Sequence, residues 1–276
     1  MSGITFTGSD NYMSEPIAFQ GMYSDSTPMI KTLGWPRIVE QADVLTVTGS
    51  SLMQFVNAMF LVDAIENAGG RIETLVLPYI PGARQDRSNP AGDVLFTLAS
   101  VAEMINLRRF DRVISLDPHS PAAGRLIYHL VEYPLSEVAK MLPGRYDGVI
   151  AADKGGKDRA EQFGRALDLP VFYGGKTRDV SNGRLTGFTL EPLSGNGHFL
   201  VVDDICDGGG TFLGLADKIK EQGATADLYV SHGIFAKGTR ALSDAYASII
   251  TTDSLEPGGR ELNITVLPVV KDMLNN

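Results

Sequence analysis

The residue types best placed to do chemistry lie in one stretch, Phe199–Thr211, FLVVDDICDGGGT. Phe199–Val202 has the composition of a buried parallel strand. Asp203 and Asp204 follow at its carboxyl end, where ligands sit in open α/β sheets. Asp207 comes next, then Gly208, Gly209 and Gly210, and Thr211 opens a helical pattern of Phe212, Leu215, Ala216 and Ile219. Consecutive glycines let backbone N–H groups turn inward, and a helix N-terminus adds positive potential. The chemistry implied is a phosphate cradle beside two carboxylates able to accept hydrogen bonds from vicinal hydroxyls. A phosphorylated sugar has both features. A flexible turn with solvated carboxylates would account for the glycines alone, but less well for the whole ordered series.

Four further loops follow strands and carry polar residues that a core does not require. Gly82-Ala83-Arg84-Gln85-Asp86-Arg87 holds two arginines, whose forks match phosphate oxygens, although a solvated charged loop has the same composition. Asp117-Pro118-His119 places an imidazole at a strand end, free to bind a metal, accept a proton or serve only structure. Asp153-Lys154-Gly155-Gly156-Lys157-Asp158-Arg159 sets a strand-end aspartate before a Gly-Gly turn and a basic helix start, and reads either as a Mg²⁺ carboxylate or as a solvated turn. Lys176-Thr177-Arg178, between Gly174-Gly175 and a polar stretch to Gly187, suggests a mobile flap with two cations, or an ordinary basic surface loop.

Strands alternating with helices must position these loops. Strands are expected at Ile4–Thr7, Val44–Thr48, Leu75–Pro78, Val113–Leu116, Gly148–Ala151, Val171–Tyr173, Phe199–Val202, Leu228–Ser231, Ser248–Thr251 and Ile264–Leu267. Between them, Leu52, Phe55, Val56, Met59, Phe60, Val62 and Ile65 recur at helical spacing before Gly69-Gly70. Asp93–Asn106 carries Val94, Leu98, Val101, Ala102 and Ile105 on one face. Further helices are expected at Leu135–Leu142, Asp158–Leu167, Phe212–Glu221 and Gly238–Ala245. The alternation implies parallel sheets covered by helices, an α/β fold. Two such series joined near Pro143-Gly144 give tandem domains over 1–143 and 144–276.

The 276 residues suffice for a large core, and 43% hydrophobic with 21% charged residues describes a soluble globular chain. A net charge of -9 argues against nucleic acid or an anionic membrane as partner, so any phosphate-binding cations must be concentrated locally. The single cysteine, Cys206, excludes an internal disulfide and reads as a small buried hydrophobe. The N-terminus lacks a signal-peptide pattern, and no run approaches the roughly 18–20 apolar residues of a membrane span. A cytoplasmic protein is expected.

The order of these elements is more specific than any one of them. The glycine loop resembles the phosphoribosyl pyrophosphate (PRPP) loop of type I phosphoribosyltransferases and of PRPP synthetases. The series ARQDR, D-x-H, D-x-G-G, K-x-R and DDxxDxxGT resembles the PRPP synthetase (ribose-phosphate diphosphokinase) family, from about Ala42 to the C-terminus. The resemblance implies two tandem phosphoribosyltransferase-like domains, often in homo-oligomers (dimers, or hexamers built from dimers). It implies Mg²⁺-dependent transfer of the β,γ-diphosphate of ATP to the anomeric hydroxyl of ribose 5-phosphate, releasing AMP. By motif match, Arg84, Gln85, Asp86 and Arg87 would hold ATP, with Tyr23 and Asp25 at the adenine motif. His119 and Asp153 would engage Mg²⁺-bound phosphates, and Lys176 and Arg178 would close over the transferring group. Asp203 and Asp204 would bind ribose hydroxyls, and Asp207–Thr211 the 5-phosphate.

This chain departs from the family pattern at several points. The Thr usual after the third loop aspartate is Gly208, which widens the space beside the 5-phosphate. The family's F-S-D-G-E corresponds at best to Tyr23-Ser24-Asp25-Ser26-Thr27. Gly82 replaces a common aromatic residue, and Pro118 replaces the Leu usual inside the D-x-H step. The open loop keeps ADP-ribose in view as an alternative acceptor, as in phage-type relatives active in NAD salvage, behind ribose 5-phosphate. A non-catalytic PRPP sensor or accessory subunit is a further alternative, disfavoured because His119, Asp153, Lys176 and Arg178 are all present.

Overall fold

The computed structural model describes residues 3–8, 14–16, 18–22, 28–31, 35–88, 94–178, 185–255 and 264–275. Tyr23, Asp25, Asn89 and Pro90 lie outside these residues. The chain divides into two units, residues 1–133 with 270–276, and residues 134–269. The division falls ahead of the Pro143-Gly144 turn.

The first unit contains β1 (Ile4–Thr7), β2 (Ser14–Pro16), β3 (Ala18–Met22), β4 (Pro28–Lys31), α1 (Trp35–Gln41), β5 (Val44–Val47) and α2 (Leu52–Asn67). It continues through β6 (Thr74–Val76), α3 (Thr97–Leu107), β7 (Arg112–Leu116), α4 (Ala122–Leu126) and β8 (Leu130–Tyr133). Its main sheet has the order β2-β1-β5-β6-β7-β8. The run β5 to β8 is parallel, and β1 joins it antiparallel. The core gathers Phe6, Leu45, Phe55, Val62, Ile65, Leu75, Leu98, Val101 and Ile105 from both faces.

The helix expected from the Leu52–Ile65 spacing is present as α2, and one expectation, for the helix after it, needs correction. In α2 the buried set is Phe55, Asn57, Ala58, Met59, Leu61, Val62 and Ile65, whereas Leu52 and Phe60 are 46% and 56% exposed. Leu52 and Phe60 lie on a neighbouring stripe that faces solvent, whereas Val56 between them packs against the core. The helix expected from Asp93 begins at Thr97, and Val94 is 43% exposed instead of lying on the buried face. Asp93 itself is not among the described residues.

The second unit contains α5 (Leu135–Lys140), β9 (Gly148–Ala151), a 3₁₀ turn (Lys154–Gly156), α6 (Lys157–Leu167), β10 (Val171–Arg178), β11 (Leu185–Leu190) and β12 (His198–Cys206). It continues through α7 (Gly210–Glu221), β13 (Thr225–Gly233), α8 (Arg240–Ala245), β14 (Ile249–Thr252) and β15 (Ile264–Leu267). The strand order is β11-β10-β9-β12-β13-β14-β15. All neighbouring strands are parallel except the β10–β11 ribbon. Phe199, Val201, Leu228 and Val230 are fully buried, each contributing roughly 1.5–3 kcal/mol relative to exposure. Helices cover both faces of such a sheet, so near-continuous apolar strands are what the geometry demands.

β12 and β13 run past their apolar cores, and β10 runs through Lys176 to Arg178. The stretch read as a flap is therefore strand as far as the described residues go. Leu185–Leu190 supplies an antiparallel partner, with Lys176 opposite Phe188 and Gly174 opposite Leu190. Gly175 permits this pairing, and Gly174 permits the close approach of β10 to the end of β9. A methyl group on Gly174 would lie 2.9 Å from the Ala151 carbonyl oxygen, and one on Gly175 would lie 2.6 Å from Thr189 Oγ1.

Candidate active site

In the second unit, four loops and strand ends meet at the carboxyl edge of the parallel sheet. Asp153 lies two residues beyond β9 with extended backbone, and its Oδ1 accepts from Gly155 N at 2.9 Å. Because β10 approaches the end of β9 at Gly174, Lys176 reaches the same carboxylate, with Nζ 2.7 Å from Oδ2. Burial raises the Asp153 carboxyl, but the Lys176 hydrogen bond and charge, with the Gly155 and Gly156 N–H groups, bring it below the ordinary range. Lys176 and Asp153, expected in separate roles, are thus a bonded pair. Arg178 lies at the end of β10, and its side chain is not described.

Asp203 and Asp204 stand on β12 beyond the last residue paired with β9, Val202. Arg159 faces them from the first turn of α6, where the sequence showed only a basic helix start and assigned it no role. Its guanidinium donates to Asp203 Oδ1 at 3.0 Å and lies 3.7 Å from Asp204 Oδ2. The three side chains are only 9%, 14% and 10% exposed. The helix itself carried the signal: Arg159 shares the inward face of α6 with Ala160, Phe163 and Gly164, where a charged residue requires a partner. Gly156 lies against this pair, and a methyl there would make only ordinary contacts, at 3.6 Å, with both Arg159 and Asp203. Burial, then Asp204, pushes the Asp203 carboxyl up to about 7, with Arg159 opposing and Asp153 adding to the rise.

The glycine loop closes this edge. Gly209 adopts φ 74° as the N-cap of α7, a left-handed conformation that favours glycine. Gly210 opens the helix, so Thr211 sits in its first turn, where backbone N–H groups have no intrahelical acceptor. The first helical bond runs from Leu213 N to Gly209 O at 3.1 Å. Cys206 is fully buried, and burial together with Asp203 and Asp207 raises its thiol to about 12, so it stays protonated.

In the first unit, the loops after β6 and β7 leave the same sheet edge. Ser115 Oγ and Leu116 N both donate to Pro78 O, at 3.2 and 3.1 Å, joining their roots. Gly82 has φ 78°, and a methyl there would lie 2.8 Å from Thr97 Cγ2. No larger residue fits this turn without displacing α3. Gln85 is tied to α3 through Thr97 Oγ1 and Leu98 N. Arg84 and Arg87 are exposed, and Arg87 Nε lies 3.1 Å from Asp86 Oδ1. Asp117 is buried in a left-handed conformation, φ 43°, while His119 is exposed two residues on. A non-glycine residue held there is locally strained.

No protein-family model matches the chain. A ribose-phosphate pyrophosphokinase from Agrobacterium fabrum is 30% identical over 236 residues, which cover 79% of this chain and 74% of that protein. The chain belongs to the ribose-phosphate pyrophosphokinase family. Another member, from Pyrococcus furiosus, is 27% identical over 250 residues, covering 87% of this chain and 86% of that protein. The PRPP synthetase of Mycobacterium smegmatis shares the fold, with a TM-score of 0.73, 21% identity and coverage of 95% of this chain and 88% of that one. The fold expected from the sequence, two α/β units with mostly parallel sheets, is thus the fold of this pyrophosphokinase family.

Proposed function

We propose that the protein transfers the β,γ-diphosphate of ATP to the anomeric hydroxyl of ribose 5-phosphate, forming PRPP and AMP. The observation that carries this reading is the grouping, at one sheet edge, of the Asp203–Asp204 carboxylates, the Asp207–Thr211 loop and the Lys176–Asp153 pair. The carboxylates suit the ribose hydroxyls, and the backbone N–H groups of the glycine loop at the start of α7 suit the 5-phosphate. On the first unit, Arg84, Gln85, Asp86 and Arg87 are assigned to ATP, and His119 to its phosphates.

The step forms a bond from O1 of the sugar to the β-phosphorus and breaks the β-phosphorus bond to the oxygen bridging to AMP. The electron pair of that bond stays with AMP, and the hydroxyl proton leaves to water. Lys176 neutralises charge on the transferring group, and Arg178 is assigned the same task; Asp153 orients Lys176. Fixed orientation of the two reactants can supply about 7–11 kcal/mol of the barrier reduction.

Carboxylate oxygen is a suitable donor for Mg²⁺, which binds through one or two carboxylates with substrate phosphates and water completing its shell. Among the described residues no group of three or more His, Cys, Asp or Glu forms a dedicated protein cage. That donor set fits an ion arriving with ATP, with Asp153 as the contact assigned to it on the second unit. When bound, it would offset phosphate charge.

A second reading, ADP-ribose as acceptor, is favoured by the space beside the loop. A methyl on Gly210 would meet nothing within 4 Å, and one on Gly208 would make only ordinary contacts with Lys237. The test is to incubate the purified protein with Mg-ATP and each acceptor and follow AMP by chromatography. AMP with ribose 5-phosphate is expected. AMP with ADP-ribose alone would shift the assignment to the second reading, and AMP with neither would overturn both.

A further inference from the structure

The phosphate loop lies in acidic surroundings. Asp203, Asp204 and Asp207 fall within five residues ahead of its glycines, and the whole chain carries a net charge of -9. A phosphate monoester entering there as a dianion meets repulsion that backbone N–H groups offset only in part. Arg159 cannot answer it, because its guanidinium is buried against Asp203 and Asp204. A cation must come from elsewhere in the unit.

The segment after β13 supplies one. Ile234 N and Phe235 N both donate to Cys206 O at 2.9 Å, and Ala236 N donates to Asp207 O at 3.0 Å. These bonds fasten the segment to the root of the phosphate loop. Phe235, buried with φ 48°, and Gly238, with φ 72°, reverse the chain, and Gly238 N closes the turn on Phe235 O at 2.8 Å. Lys237 stands at the tip of that turn, with its stem across Gly208. A methyl group on Gly208 would lie 3.6 Å from its Cε, 3.7 Å from Cδ and 4.0 Å from Nζ. The side chain is exposed, so the ammonium meets the loop from the solvent side, where a phosphate on the loop would present its outer oxygens.

We infer that Lys237 is a further acceptor-binding residue, whose ammonium pairs with the phosphate held by the Asp207–Thr211 loop in the space that Gly208 leaves open. The inference rests on the proposed diphosphate transfer. A mobile surface lysine would not need a stitched turn beneath it.

The test compares wild type with Lys237→Met and Lys237→Arg, by steady-state kinetics with ribose 5-phosphate varied and by calorimetric titration of ribose 5-phosphate. Loss of a charge-assisted bond to phosphate is expected to raise the acceptor KM and the titrated Kd of Lys237→Met roughly 10–100-fold. The KM for ATP should not change, and Lys237→Arg should recover most of the loss. Ribose 5-phosphate binding to Lys237→Met as it does to wild type, while wild type forms AMP, would overturn this inference and leave the reaction standing. Absence of AMP and of binding in wild type would overturn the reaction and the inference together.

Discussion

Asp203 is the residue on which opposed forces meet most evenly. Burial and the neighbouring Asp204 favour its neutral form, Arg159 favours the ionised form, and the balance lies near 7. An ionised carboxylate accepts hydrogen bonds from a diol at both oxygens, whereas the acid form gives up acceptor capacity. Acceptor affinity should therefore rise with pH through about 7. Stability should respond in the opposite sense. A carboxyl raised in the folded protein contributes stability that is complete below its ordinary value of 3.8 and is lost as pH rises through about 7. The site thus gains function over the range in which the fold gives up stability. Arg159→Met should move the acceptor-affinity limb to higher pH. It should also destabilise the protein by about 3–5 kcal/mol, because a carboxylate pair is left buried without its cation. Acceptor titrations from acid to neutral pH and denaturant melts of both proteins measure the two effects. An unmoved limb would show that Arg159 has no part in tuning Asp203.

The elements holding the site differ in how openly the sequence displays them. Gly148–Ala151 occupies the expected position because a central parallel strand, covered on both faces, reads as a short apolar run, and Ile264–Leu267 registers at the sheet edge through its own short apolar composition. β8, with two exposed residues among four, and the five-residue α4 have too little periodicity to register. β11 was hidden differently. Its partner strand contains Gly174-Gly175-Lys176, which looks like a loop until the glycines are recognised as points of close backbone approach. The ribbon also leans on α7, since a methyl on Gly214 would lie 2.0 Å from the Phe188 ring, and Phe188 is the residue opposite Lys176. Gly214→Ala must displace that ring, at a cost of about 1–3 kcal/mol typical of overpacking. Turnover should fall with it as Lys176 shifts from Asp153. Phe188→Leu combined with Gly214→Ala should recover part of both losses, a non-additivity expected of touching residues. Additive losses in melting and turnover would contradict this coupling.

At the scale of the molecule, the chain is acidic, with a net charge of -9, and the proposed reaction requires cations concentrated where phosphates are held. The order of its loops carried the family, because strand-end aspartates, glycines and paired cations recur at spacings that no core requires. The partners of Arg159, seen in the sequence only as part of a basic helix start, and the place of Lys237 were not legible in that order. Arg159 lies on the inner face of a helix, and Lys237 in a turn that only folding brings against Gly208. Both become meaningful through partners distant in sequence. The central claim is that a diphosphate moves as one group. Separate incubations with ATP labelled at the β- or the γ-phosphorus, and ribose 5-phosphate as acceptor, test it most directly. Both labels should appear in the same sugar product in equal amounts, with AMP unlabelled. Transfer of the γ label alone, with ADP carrying the β label, would make the protein an ordinary phosphoryl transferase and contradict the account.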